Sequence, residues 1–238
     1  MAARTYKDIV EIFNLCNKGE GCIGYQQVGD DVNYAFEERP DGVLYIYFEP
    51  SNGKRDWINN FDFWKEDKEP LTPYKDMEIQ YKVHGGFLKC WKQVEDIIIE
   101  KITEQEPGYP EGHYKWQTIV VVGYSHGGAL AFFGHECCWF HRPDIRDNIW
   151  TIAFDAPRVY AGYWIKPRLA RRWAQFYVFR NGKDIVTHVP PYLFGFKHVG
   201  HMIKIGRKQK VNAIDAHRPE NIILSLEAWA QRVEKRMR

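Results

Sequence analysis

An α/β fold, with a mostly parallel central sheet and helices on both of its faces, is what this sequence predicts. Three observations carry that prediction. Ile119 to Val122 form an unbroken β-branched run, strand-like and helix-like segments alternate along the chain, and a glycine-rich turn joins the β-branched run directly to a helical pattern. The 238 residues suffice for one such domain with a sizeable buried core.

Ile9, Ile12, Phe13 and Cys16 stand at i, i+3, i+4 and i+7, which predicts an amphipathic opening helix that ends near Gly19 and Gly21. Val43 to Phe48 is a compact apolar and aromatic strand, stopped by Pro50 and the Ser-Asn-Gly after it. Phe87, Trp91, Val94 and Ile98 mark one face of a long helix after Gly85-Gly86. The β-branched side chains of Ile119 to Val122 suit a strand covered on both faces, and a helical run, Ala129 to Phe133, follows. Asn148 to Phe154 and Gln175 to Phe179 supply further strands, and Ile222, Leu226, Trp229 and Val233 stripe a final helix. No internal repeat, low-complexity tract or linker interrupts this series, so residues 1–238 are expected to form a single domain.

The 33 Lys and Arg against 31 Asp and Glu give a formal charge of +2, scattered along the chain, so nothing calls for a nucleic-acid partner. No apolar run approaches membrane-spanning length, and stable membrane insertion is not expected. Met1 to Cys16 mixes its apolar residues with Arg4, Lys7, Asp8 and Glu11, unlike a signal peptide. Cys16, Cys22, Cys90, Cys137 and Cys138 are odd in number and lack paired metal-ligand spacing. Together these two features predict reduced thiols and a cytoplasmic protein. The aromatic content of 16% implies bulky core packing or an apolar pocket.

Chemistry concentrates at Gly123-Tyr124-Ser125-His126-Gly127-Gly128, a G-x-S-x-G sequence between strand and helix. A serine lifted above a sheet on such a turn needs glycine two positions away on either side, because a Cβ there would meet the crossing backbone. Ser125 is therefore the candidate nucleophile; the alternative is a serine that merely caps the helix. A serine hydroxyl needs a histidine to take its proton, and that histidine needs a carboxylate to hold its tautomer. Asp184 lies just past the strand that ends near Phe179, where loops carry chemistry. Four histidines follow: His188, His198, His201 and His217. Of these only His217 precedes an apparent helix start, Pro219-Glu220-Asn221. The backbone N–H of His126 is the expected donor to a developing oxyanion. This chemistry requires no cofactor and no metal.

From about Val43 to His217 the sequence resembles the class 3 (fungal-type) lipase family. Asp184 to Gly200 resembles that family's acid loop and the turn after it, Phe154-Asp-Ala-Pro-Arg-Val159 its Pro-Arg-Val motif, and Val83-His84-Gly85-Gly86-Phe87 its Val-His-x-Gly-Phe stretch before the long helix. The resemblance implies an α/β-hydrolase fold and a serine hydrolase of lipase or esterase type that acts on small acyl esters or lipids. It implies Ser125, Asp184 and His217 as the triad, with His201 the rival base, Asp155 the rival acid and His198 structural. It also implies a second oxyanion donor at Ser51, where Glu49 and Pro50 replace the family's Arg and Gly. Residues 52–69 then occupy the place of the family's lid, and Trp57, Phe61 and Trp64, at i, i+4 and i+7, would share one apolar face with Ile58 if helical. Two alternatives stay open: hydrolysis of another acyl compound, such as a phospholipid, thioester or amide, and a hydrolase-fold binding protein without activity.

Overall fold

A computed structural model of the chain describes residues 6–17, 22–29, 32–49, 67–71, 80–207 and 209–237. The first helix, α1, is Tyr6–Cys16, and β1 (Gln26–Val28), β2 (Val32–Arg39) and β3 (Val43–Phe48) follow. Next come β4 (Lys68–Pro70), β5 (Lys82–His84), α2 (Gly85–Ile102), β6 (Thr118–Tyr124), α3 (His126–His141) and β7 (Ile149–Phe154). The remainder is β8 (Tyr160–Ala161), α4 (Pro167–Arg172), β9 (Phe176–Asn181), β10 (Phe196–Lys197), β11 (His201–Ile205) and α5 (Pro219–Met237).

Among the described residues, one seven-stranded sheet runs in the order β1-β2-β3-β6-β7-β9-β11. The pairs β3–β6, β6–β7, β7–β9 and β9–β11 are parallel, while β1–β2 and β2–β3 are antiparallel. The β-branched run therefore lies at the centre of the sheet, as its composition predicts. Side chains alternate between two cores. Leu44, Ile46, Phe48, Ile119 and Val121 face α2 and α3, whereas Tyr45, Tyr47, Val120 and Val122 face α1 and α5. Each fully buried Val, Leu or Ile contributes about 1.5–3 kcal/mol, so a one-residue slip that exchanged the faces would be strongly disfavoured. α3 is buried along almost its whole length, which is why its sequence is apolar all round. Among the described residues, no helix is long and apolar enough to cross a membrane.

The predicted helix after Gly85-Gly86 instead begins at Gly85 itself. A second sheet, ordered β10-β8-β5-β4 and antiparallel throughout, flanks the first. Its strands of two or three residues are too short to leave a periodic pattern, so the sequence does not announce them. The central strands end at Phe48, Tyr124, Phe154 and Asn181, and the loops that leave those ends carry the residues of interest.

Candidate active site

Ser125 is the single residue between β6 and α3, with φ 56° and ψ −122°. An L side chain rarely takes this positive φ, and crowding around the turn holds it there. A Cβ on Gly123 would lie 2.0 Å from the Gly127 carbonyl oxygen, and a Cβ on Gly127 would lie 2.1 Å from that of Phe48. The two glycines thus let strand, turn and helix cross in contact. Although Ser125 holds the N-cap position, its side chain makes no capping hydrogen bond. Its Oγ is turned instead to His217 Nε2, 2.8 Å away.

His217 stands at the end of a short 3-10 turn, Asp215–His217, just before α5. The Tyr124 hydroxyl donates to its carbonyl oxygen, and Asn181 Nδ2 donates to the Ala216 carbonyl at 2.7 Å. Both tie the turn to strand ends of the central sheet. On its other edge the imidazole Nδ1 donates to Asp184 Oδ2 at 2.6 Å. The carboxylate only accepts, so Nδ1 carries the hydrogen and Nε2 is free to accept from the Ser125 hydroxyl. Asp184 is itself held by its surroundings: Oδ1 accepts from the Val186 N–H at 2.8 Å, and its carbonyl accepts from Thr187 Oγ1 at 2.9 Å.

Ser125, Asp184 and His217 are all buried. Burial pushes the His217 imidazole down to about 4, against Asp155, which raises it when ionised, so the ring is neutral near pH 7 and able to take a proton. Burial likewise raises the Asp184 carboxyl, while the Val186 N–H, the Asp155 hydrogen bond and the Arg180 charge favour its ionised form. His126 is the first residue of α3, so its backbone N–H lies at the helix N-terminus directly after Ser125, where the helix dipole favours negative charge. Its own ring is buried and pushed down to about 4 by burial. A hydroxyl, a neutral imidazole and a carboxyl in this series can pass the hydroxyl proton to the ring as oxygen attacks a carbonyl carbon.

The other candidates lie elsewhere. His201 opens β11 on the sheet edge, where its Nε2 donates to the Ala174 carbonyl at 3.0 Å and its ring stacks on Tyr177. His198 Nε2 donates to the Thr187 carbonyl at 2.9 Å, which braces the loop after Asp184. The His188 ring contacts Arg180, and His84 is buried against Phe87 and Phe196. Asp155 lies one residue past β7, adjoining Asp184 rather than in its place. Ser51, Trp57, Ile58, Phe61 and Trp64 lie outside the described residues. Sequence reasoning did not single out Tyr124 and Asn181 as holders of the His217 turn; Tyr124 sits within the G-x-S-x-G sequence, and Asn181 lies three residues before Asp184.

A serine on a positive-φ turn after a central parallel strand, with the aspartate and histidine arriving from later strand ends, defines the α/β-hydrolase fold. The profile of the family Lipase (class 3) matches residues 45–194. This chain belongs to the class 3 lipase family. A lipase of Rhizomucor miehei is 29% identical over 163 residues, covering 66% of this chain and 40% of that protein. A secreted mono- and diacylglycerol lipase of Fusarium solani is 26% identical over 144 residues, covering 60% and 38% respectively. The solved structure of Rhizomucor miehei triacylglyceride lipase superposes with a TM-score of 0.61 at 25% identity, covering 77% of this chain and 66% of that one. The matches thus span about 40% of the length of these sequence relatives.

The comparisons correct one expectation. The cytoplasmic setting predicted from the opening residues and the cysteines is overturned by relatives from Fusarium solani and Malassezia globosa that are named as secreted lipases. Both features are weak signals, since unpaired thiols also persist where they are shielded from oxidant. Cys16, Cys137 and Cys138 are buried, and no two of the five cysteines form a disulfide among the described residues.

Proposed function

We propose that this chain hydrolyses carboxylic esters as a lipase or esterase, with Ser125 as nucleophile, His217 as general base and acid, and Asp184 as the carboxylate that orients His217. The observation that carries this reading is the unbroken hydrogen-bonded series from Ser125 Oγ through His217 to Asp184, with steps of 2.8 and 2.6 Å. His217 Nε2 takes the Oγ proton as Oγ bonds to the ester carbonyl carbon, and the carbonyl π electrons move onto oxygen. The His126 N–H stabilises that oxyanion, and Ser51 supplies the second donor. Collapse of the intermediate expels the alcohol, which takes the proton from His217 and leaves an acyl-Ser125 ester. Water, deprotonated by His217, then attacks the acyl carbon, and as this intermediate collapses the Ser125 Oγ leaves, takes the proton back from His217 and releases the carboxylic acid. Every proton returns to its starting place, so the cycle needs no cofactor or metal.

One α/β-hydrolase domain over residues 1–238 carries this chemistry, and in this reading Trp57, Ile58, Phe61 and Trp64 of the lid-like stretch 52–69 take the acyl group. The substrate is an acyl ester or lipid, in keeping with relatives named lipase and mono- and diacylglycerol lipase. Their names also favour secretion for this chain. The direct test is a fluorophosphonate probe followed by peptide mass spectrometry. Ser125 should be the labelled residue, and Ser125→Ala should lose both the label and about a thousandfold or more in p-nitrophenyl ester turnover. Labelling at another serine, or an active Ser125→Ala, would end this reading.

A further inference from the structure

Ser125, Asp155 and Asp184 follow the carboxyl ends of the adjacent strands β6, β7 and β9, and the proposed reaction uses only two of them. Asp155 is fully buried and holds φ 42°, a value that few residues other than glycine and asparagine take readily. Its backbone N–H donates to the Phe179 carbonyl at 2.8 Å, and its Oδ1 accepts from the Asn181 N–H at 2.6 Å. Its Oδ2 is buried and meets no N–H or O–H donor among the described residues. The Asp155 side chain also lies within hydrogen-bonding reach of another carboxyl, that of Asp184.

Two carboxyl groups can share a buried hydrogen bond only if one of them holds a proton. Both Asp184 oxygens already accept, from the Val186 N–H and from His217 Nδ1–H, whereas Asp155 Oδ2 meets no such donor among the described residues. The proton therefore belongs on Asp155, and a carboxylate has lone pairs enough to accept a third bond. We propose that Asp155 is a positioning residue of the Ser125–His217–Asp184 series, a neutral carboxylic acid that donates a hydrogen bond to the Asp184 carboxylate and so aims it at His217. This inference rests on the roles proposed above for those three residues.

Burial and the charge of Asp184 both favour the protonated form of Asp155 and hold it well above the ordinary carboxylate range. The other charged or titratable groups around it are His217, Arg180 and Tyr124. His217 and Arg180 favour a charged Asp155, and the phenol of Tyr124 stays neutral. Were Asp155 to ionise, Asp184 would lose a donor and His217 would hold its own proton more tightly, since the Asp155 charge raises its affinity. Turnover should therefore decline on the alkaline side as Asp155 gives up its proton.

The experiment compares Asp155→Gly and Asp155→Asn with the parent in kcat, KM and pH profile, beside Ser125→Ala as control. Glycine accepts the positive φ without strain yet removes the donor, so kcat should fall about tenfold with KM unchanged, the usual size for loss of a supporting partner. Asparagine tolerates the same φ, keeps an acceptor for the Asn181 N–H and offers Nδ2–H to Asp184. It should restore most of the turnover lost in Asp155→Gly and abolish the alkaline decline, because it has no proton to lose. If Asp155→Asn is as impaired as Asp155→Gly, or its pH profile matches the parent's, the proposal is overturned while an inactive Ser125→Ala leaves the roles of the other three intact. An active Ser125→Ala overturns both.

Discussion

His217 Nδ1 and Asp184 Oδ2 stand 2.6 Å apart across 33 residues of sequence, one group carried by the turn before α5 and the other by the loop after β9. The contact fixes which ring nitrogen bears hydrogen, and with it whether Nε2 can accept from Ser125.

Asp184→Asn keeps an oxygen for the Val186 N–H but turns an amide NH₂ toward Nδ1, which forces the ring into the other tautomer. Ester turnover should fall by about 10⁴-fold, the loss that follows when such a ring takes the wrong tautomer. Circular dichroism should remain that of the parent, because the loop's other bonds survive. A loss below tenfold would mean that the carboxylate does not govern the base.

Among the histidines, His217→Ala should remove chemistry, with a loss of about a thousandfold or more. His201→Ala should turn over ester at the parent rate, since that ring bonds only the Ala174 carbonyl among the described residues and stacks on Tyr177 at the sheet edge. His198→Ala should lower the melting temperature through loss of its bond to Thr187, with much less effect on kcat than His217→Ala. These are readings from one assay on three purified variants, and a crippled His201→Ala would contradict the geometry.

The parts of this fold that bury continuous surface are visible in the sequence. The run through Val120 and Val122, the stripe Ile9, Ile12, Phe13 and Cys16, and the glycines that flank Ser125 each leave a periodic or compositional trace, because packing on both sheet faces demands it. Asp184 and His217 are legible only with the chain order of the family in mind, since a loop aspartate or histidine carries no period. Tyr124 and Asn181 hold the His217 turn through single hydrogen bonds across 93 and 35 residues, a relation that no local pattern reports. The strands β8 and β10 are two residues each, below the length at which alternation can be recognised.

Gly127→Ala would place a Cβ 2.1 Å from the Phe48 carbonyl oxygen and 2.8 Å from that of Glu49. Both are backbone atoms at the end of β3, so neither can swing aside as a flexible side chain could. The variant should lose about 1–3 kcal/mol or more of stability, the range for overpacking, and kcat should fall with it because Ser125 shifts. Gly24→Ala is the matched control: a Cβ there meets nothing within 4 Å, so thermal unfolding should be unchanged. Equal melting temperatures for the two variants would mean that the turn tolerates a wider crossing than its geometry implies.

Acid should destabilise this protein well above the range in which most carboxylates titrate. Burial holds His126, His135, His198 and His217 neutral in the fold, pushing His126, His198 and His217 to about 4 and lowering His135 as well. In the unfolded chain each takes up a proton near pH 6.5. Between about pH 6.5 and 4 the unfolded state therefore binds up to four histidine protons that the folded state refuses, and stability is present above this window and lost as pH falls through it. The carboxyl pair works the other way. Asp155 and Asp184 both hold a proton to higher pH in the fold than in the unfolded chain, so their contribution is present at low pH, fades as pH rises and offsets part of that of the histidines. Each proton of the remaining net uptake on unfolding is worth about 1.4 kcal/mol per pH unit. Calorimetry at pH 7, 6 and 5 should show the melting temperature falling as pH drops, by about 2–4 °C for each kcal/mol lost. In Asp155→Asn, which has no proton to retain, the fall should be steeper. A melting temperature that held level from pH 7 to 5, or rose, would show that these histidines take up protons within the folded protein.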